Sequence, residues 1–129
     1  MFNECYLRFF YNCKKITTIP EDLLPATELA NLCYWGMFEG CTNILKSPVL
    51  PARQLAKDCY RKMFSGCTKL CEITFNGASI ESYYMFNWCD NVSSTGKIIS
   101  LNKDLEVKST GISGVPEGWE IIYKDSSGK

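Results

Sequence analysis

The side chains here that could do chemistry are eight cysteines, in a chain with no histidine. A thiolate can serve as nucleophile, redox group or metal ligand. Without histidine the usual general base near neutral pH is missing. So are Cys-His and Ser-His nucleophile pairs and every His-containing zinc site. Cys5/Cys13, Cys33/Cys41 and Cys59/Cys67 are each eight residues apart. Zinc pairs are usually roughly two to four residues apart, so these are not zinc spacings. Cys67 and Cys71 come closer but form a single pair. The carboxylates Glu4, Glu21, Asp22, Glu39, Glu72 and Glu81 are scattered, and no pair is assignable to glycosidase-type acid/base work. No P-loop or GxGxxG pattern occurs, and GISGVPEG at 111–118 is turn chemistry. The expectation is a protein without catalytic residues, metal or cofactor.

The elements that carry these cysteines repeat. CYLRFFYNCKKI at 5–16 recurs as CYWGMFEGCTNI at 33–44 and CYRKMFSGCTKL at 59–70. SYYMFNWCDNV at 82–92 is a degenerate fourth copy. LPATELA at 24–30 and LPARQLA at 50–56 precede two copies. Cys5 to Cys33 is 28 residues, Cys33 to Cys59 is 26, and Phe64 to Phe86 is 22. A repeat of this length is the signature of a stacked solenoid.

Each unit reads as strand, corner, short helix, corner. Leu55, Ala56, Cys59, Tyr60, Met63 and Phe64 fit one face of a helix. Pro51 suits its start. Gly66, with its counterparts Gly40 and Asn12, suits a left-handed cap. Ile16–Ile19, Ile44–Ser47 and Leu70–Phe75 then read as short parallel strands, with Pro20 and Pro48 ending theirs. Stacking about four units predicts ladders of Cys5/Cys33/Cys59, Phe10/Phe38/Phe64/Phe86 and Cys13/Cys41/Cys67/Cys89. Stacked turns are roughly 5 Å apart, but side chains in register point the same way. The ladder thiols therefore read as small buried hydrophobes, with a disulfide or a metal as the alternatives. Repeats fill 1–92 (approximately 1–23, 24–49, 50–75 and 76–92). In 93–129, KIISL (97–101), DLEV (104–107) and WEIIYK (119–124) predict a C-terminal β cap. The chain opens inside a repeat, with Phe2 and Phe9 nearby. Its N-terminal face is therefore expected to meet an upstream segment, a partner or a second copy.

These units resemble the leucine-rich-repeat-like repeats of BspA-type surface proteins from gut Bacteroides, with related repeats in gut phage proteins. CYWGMFEGCTNILKSPVLPARQLA, CYRKMFSGCTKL, NWCDNVSSTGKI at 87–98 and SGVPEGWEII at 113–122 carry the resemblance, which covers nearly the whole chain. It implies a right-handed β/α solenoid, secreted or surface-displayed, used in adhesion or recognition. Fold alone does not settle function. The expected role is a non-enzymatic module that binds a protein or glycan at a bacterial surface. The alternative is a structural or receptor-binding part of a phage particle or larger assembly.

Fourteen basic and fourteen acidic residues cancel. That argues against nucleic-acid binding, which needs clustered excess Lys/Arg. No apolar run approaches the roughly 18–20 residues of a membrane span. The start lacks the basic and apolar regions of a signal peptide. Within the repeats one column varies: Leu7, Trp35, Arg61, Tyr83. The next runs Arg8, Gly36, Lys62, Tyr84. Trp, Tyr and Arg are enriched in binding hot spots, and Arg stacks on aromatic rings. Leu7, Trp35, Arg61, Tyr83, Lys62 and Tyr84 are the candidate binding residues. Arg53, Lys57 and Arg61 form a basic stripe that reads as a solvated face.

Overall fold

A computed structural model describes residues 8–24 and 27–124. Six strands occur in chain order: β1 Lys46–Leu50, β2 Glu72–Phe75, β3 Ser79–Ile80, β4 Gly96–Ser100, β5 Glu106–Val107 and β6 Trp119–Tyr123. β1, β2, β4 and β6 form one parallel sheet in that order, and β3 pairs parallel with β5. Each strand meets the equivalent strand of the next winding, which is a parallel β-solenoid of about three turns. The repeats predict about four helix-bearing turns; the described residues make about three, with little helix. Among the described residues the α-helix is limited to α1, Ser82–Met85.

What replaces the helices is a block of linked turns with a period of four. In 32–41 the odd-numbered N–H groups bond three residues back, as in Trp35 to Leu32 O and Met37 to Tyr34 O, at 3.0–3.3 Å. The even-numbered N–H groups reach the next winding instead. Leu32, Tyr34, Gly36, Phe38 and Gly40 donate to Lys57, Cys59, Arg61, Met63 and Ser65 carbonyls at 2.7–3.0 Å. Every fourth residue has positive φ: Leu32, Gly36 and Gly40, then Asp58, Lys62 and Gly66. Backbone donors are thus shared between the block and its neighbour, and none is left for an α-helical ladder. The apolar pairs Cys59/Tyr60 and Met63/Phe64 recur every four residues, not every 3.6. That strict four is the turn period. It holds both residues of each pair in the core without the drift an α-helix would impose.

The core lies between the sheet and the turn blocks. Phe10, Phe38 and Phe64 stack with nearly parallel rings, 5.5 and 5.9 Å between centroids. Tyr34 and Tyr60 stack at 6.2 Å. Phe86 does not continue the phenylalanine stack; it is 41% exposed. The reason is register. Asn87 and Asn91 carry the positive φ that Lys62 and Gly66 carry, and Lys62 N–H and Gly66 N–H donate to Phe86 O and Asp90 O. The step to the last copy is therefore 25 residues, which places Phe86 beside Arg61. By the same step Cys89 falls beside Phe64 and Val92 beside Cys67, while the Trp88 ring fills the space under Tyr60 and Phe64. Cys5, the first rung of one expected ladder, and Leu7 lie outside the described residues.

Pro48 does not end its strand. It sits inside β1, at a register shift between Lys46 and Val49. There the Ser47 hydroxyl accepts the Thr74 N–H at 3.1 Å and donates to Pro48 O at 2.7 Å. A bulge is where a strand tolerates proline. Ile16–Ile19 lacks regular pairing, although Val49 N–H reaches Glu21 O beside it.

The C-terminal segment is two things, not one cap. On the sheet side β4 and β6 extend the same parallel sheet. On the turn side, 109–115 closes the stack. Ser109 Oγ accepts from Ser82 N–H, Ser113 Oγ from Asn87 N–H, Ile112 O from Cys89 N–H and Gly114 O from the Trp88 indole. Donors that would reach another turn block find hydroxyls and carbonyls instead.

Candidate functional site

Seven described cysteines are free thiols, five of them buried. They act as core side chains with a polar tether. Cys41 Sγ donates to Phe10 O at 3.1 Å and Cys67 Sγ to Phe38 O at 3.0 Å, each bridging to the preceding winding. Burial pushes the Cys59 thiol up to about 12, and pushes Cys41, Cys67 and Cys89 upward too. A desolvated thiol that resists ionisation is a poor nucleophile and metal ligand. Among the described residues no cluster of three or more metal-ligating side chains forms.

The variable column is built, but differently from its sequence alignment. Trp35, Arg61 and Phe86 lie on successive windings. The Arg61 guanidinium sits between the two rings, 5.1 Å from the Trp35 centroid and 5.0 Å from that of Phe86. Asp58 holds it from the side at 3.6 Å. Arg8 repeats the device one winding earlier, over Tyr11 at 4.2 Å and against Glu39 at 3.3 Å. These side chains therefore spend their faces on one another. The Trp35 and Arg61 Nε–H groups are buried without an acceptor among the described residues. Tyr83 is not in this column; its ring is exposed and meets Tyr84 edge-on at 5.4 Å. Lys62 is half-buried at a positive-φ position, and Arg53 and Lys57 are exposed.

The outer face of the sheet is the surface that sequence reasoning missed. Strand alternation turns Ile73, Phe75 and Ile98 inward, which leaves Glu72, Thr74, Lys97 and Ile99 outward. Pairing registers align two rows across the windings. One row is charged: Lys46, Glu72, Lys97, Glu120. Glu72 lies between Lys46 Nζ at 3.8 Å and Lys97 Nζ at 3.4 Å. The parallel row is Val49, Thr74, Ile99 and Ile122. Over part of both rows, at Lys46, Glu72, Val49, Thr74 and Ile99, runs a groove of about 610 Å³, from Thr17, Thr18 and Glu21 across to Leu101 and Lys124. Its signal was present in the alternation of each strand. Reading it needs the strand-to-strand register, which the block alignment does not supply.

Comparison with protein-family models, with curated proteins and with solved structures gives no match for this chain.

Proposed function

We propose that this chain is a non-enzymatic binding module that recognises a protein or glycan through the outer face of its parallel sheet. The observation that carries the reading is the groove crossing all the windings, with a mixed apolar, hydroxyl and charged lining. A preformed concave surface that combines apolar contact with placed polar groups is the usual form of a recognition site. The sheet beneath it is braced by buried side chains, so binding costs little ordering of the backbone. The resemblance to BspA-type repeats supports a right-handed winding and display at a bacterial surface, with turn blocks standing where such units have helices.

The test is a screen of the purified chain against a glycan array and a peptide library, repeated with two variants. Thr74→Arg places a long charged side chain across the groove and is expected to weaken binding at least tenfold with little change in melting temperature. The pair Trp35→Ala and Tyr83→Ala is expected to leave binding intact. Binding that survives Thr74→Arg and is lost in the second variant would move the site to the turn face.

A further inference from the structure

The groove has a polarity along its length that narrows what fits it; this step rests on the binding role given to that face. At one end Glu21 projects from the segment whose carbonyl accepts the Val49 N–H at 2.9 Å. At the other end Lys124 follows β6, and its own N–H is held by Ser100 O at 2.7 Å. Both side chains line the groove and both are exposed. Neither makes an ion pair among the described residues, whereas Glu72 between them is neutralised by two lysines. The middle of the groove is Val49, Thr74 and Ile99, which offers apolar contact and one hydroxyl.

The span follows from strand spacing. Glu21 to Lys124 crosses four strand-to-strand steps of about 4.8 Å, or roughly 19 Å, the length of about six extended residues at about 3.3 Å each. Among the described residues no aromatic side chain lines the groove, and none offers a flat ring against which a sugar face could stack.

We propose that the occupant is an extended peptide segment of about six residues, apolar or hydroxyl-bearing in its middle, with a basic side chain over Glu21 and an acidic one over Lys124. Such a segment would pair both unmatched charges and cover the floor between them. The partner is therefore a protein presenting an exposed strand or tail with opposite charges at its two ends.

Three blocked hexapeptides test this, each with a Val-Thr-Val-Thr middle and ending in Lys and Glu, in Lys and Lys, or in Glu and Glu. Amide shifts of Val49, Thr74 and Ile99 report binding in a titration. The Lys/Glu peptide is expected to bind the wild-type chain at least tenfold more tightly than either like-charged peptide. Glu21→Lys should transfer the preference to the Glu/Glu peptide, and Lys124→Glu to the Lys/Lys peptide. Both positions are exposed, so both variants are expected to fold. Equal affinities, a ranking the variants do not change, or no shift with any peptide at millimolar concentration would overturn the proposal. So would groove shifts that grow with protein concentration alone, which identify a second copy as the occupant. If a glycan moves these amides and no peptide does, the peptide is wrong and the groove stands. If Thr74→Arg leaves partner binding intact, the groove itself is wrong.

Discussion

At the scale of single residues, the core is built by stacking like on like, and one member fits imperfectly. Tyr60 is fully buried among Tyr34, Phe75 and Trp88. Its hydroxyl has no hydrogen-bond partner among the described residues. Burial also pushes its ionisation well above the ordinary phenol range. A buried hydroxyl left unpaired costs about 1–3 kcal/mol of desolvation. Removing it keeps the ring and its contacts. Tyr60→Phe is therefore expected to stabilise the protein by about 1 kcal/mol, read from urea unfolding as a raised midpoint at unchanged slope. A destabilised variant would mean that the hydroxyl has a partner, such as a buried water. The identity of the stacked residues was legible from the repeats, because Cys33/Cys59 and Phe38/Phe64 recur at one spacing. The fate of Phe86 was not. A one-residue change in step moves a side chain from the core to the surface, and the degenerate last copy conceals that change.

At the scale of elements, the turn block is the main departure from the sequence expectation, and one glycine separates the two structures by sign. Gly36 lies in the middle of the block with φ +62°. In an α-helix, Gly→Ala at such a position stabilises by about 1 kcal/mol. Here a Cβ would be held in the left-handed region and would come to 3.0 Å from Arg8 Cγ and Glu39 Oε1. Gly36→Ala is expected to destabilise by about 1–2 kcal/mol. Chemical denaturation of the two proteins checks it, and a more stable alanine variant would restore the helix. Two of the repeat strands, at Ile44–Ser47 and Leu70–Phe75, their parallel pairing and the left-handed positions Asn12, Gly40 and Gly66 were readable from apolar runs and residue type. By contrast, Ile16–Ile19 forms no strand, and β4 and β6 extend the repeat sheet where a separate cap was expected. The helix reading failed because apolar positions at i, i+1, i+4, i+5, i+8 and i+9 satisfy a coarse 3.6-residue pattern over two repeats. Only their strict spacing of four betrays the other structure. Leu32 and Lys62 also hide the period, because side chains of those types rarely mark a left-handed position.

At the scale of the whole molecule, each winding is stabilised mainly by its neighbours, as in other stacked repeats. That makes position along the stack a determinant of local stability. The two central turn blocks bury Tyr34, Phe38, Tyr60 and Phe64 at 1% exposure or less and exchange backbone hydrogen bonds across their whole length. The first described winding has half-buried Phe10, Cys13, Ile16 and Ile19, exposed Phe9 and Tyr11, and no regular strand. The groove spans both kinds of winding, which is why no single repeat reveals it. The charged row that it partly overlies arises only when Lys46, Glu72, Lys97 and Glu120 are brought together from four strands. Native-state hydrogen exchange should resolve the gradient beneath it. The Tyr60 and Phe64 amides, bonded to Tyr84 O and Trp88 O at 2.9 Å, are expected to exchange only through global unfolding, with the full denaturant dependence. The Phe10 and Asn12 amides are bonded just as well, to Met37 O at 2.8 Å and Glu39 O at 2.7 Å. They are nevertheless expected to exchange at least tenfold faster, with a weaker denaturant dependence, because peeling the first winding exposes far less apolar surface than unfolding the stack. Hydrogen-bond length alone predicts equal protection for the two sets. Equal protection would mean that the windings unfold as one unit and that the Glu21 end of the groove is as firmly held as its centre.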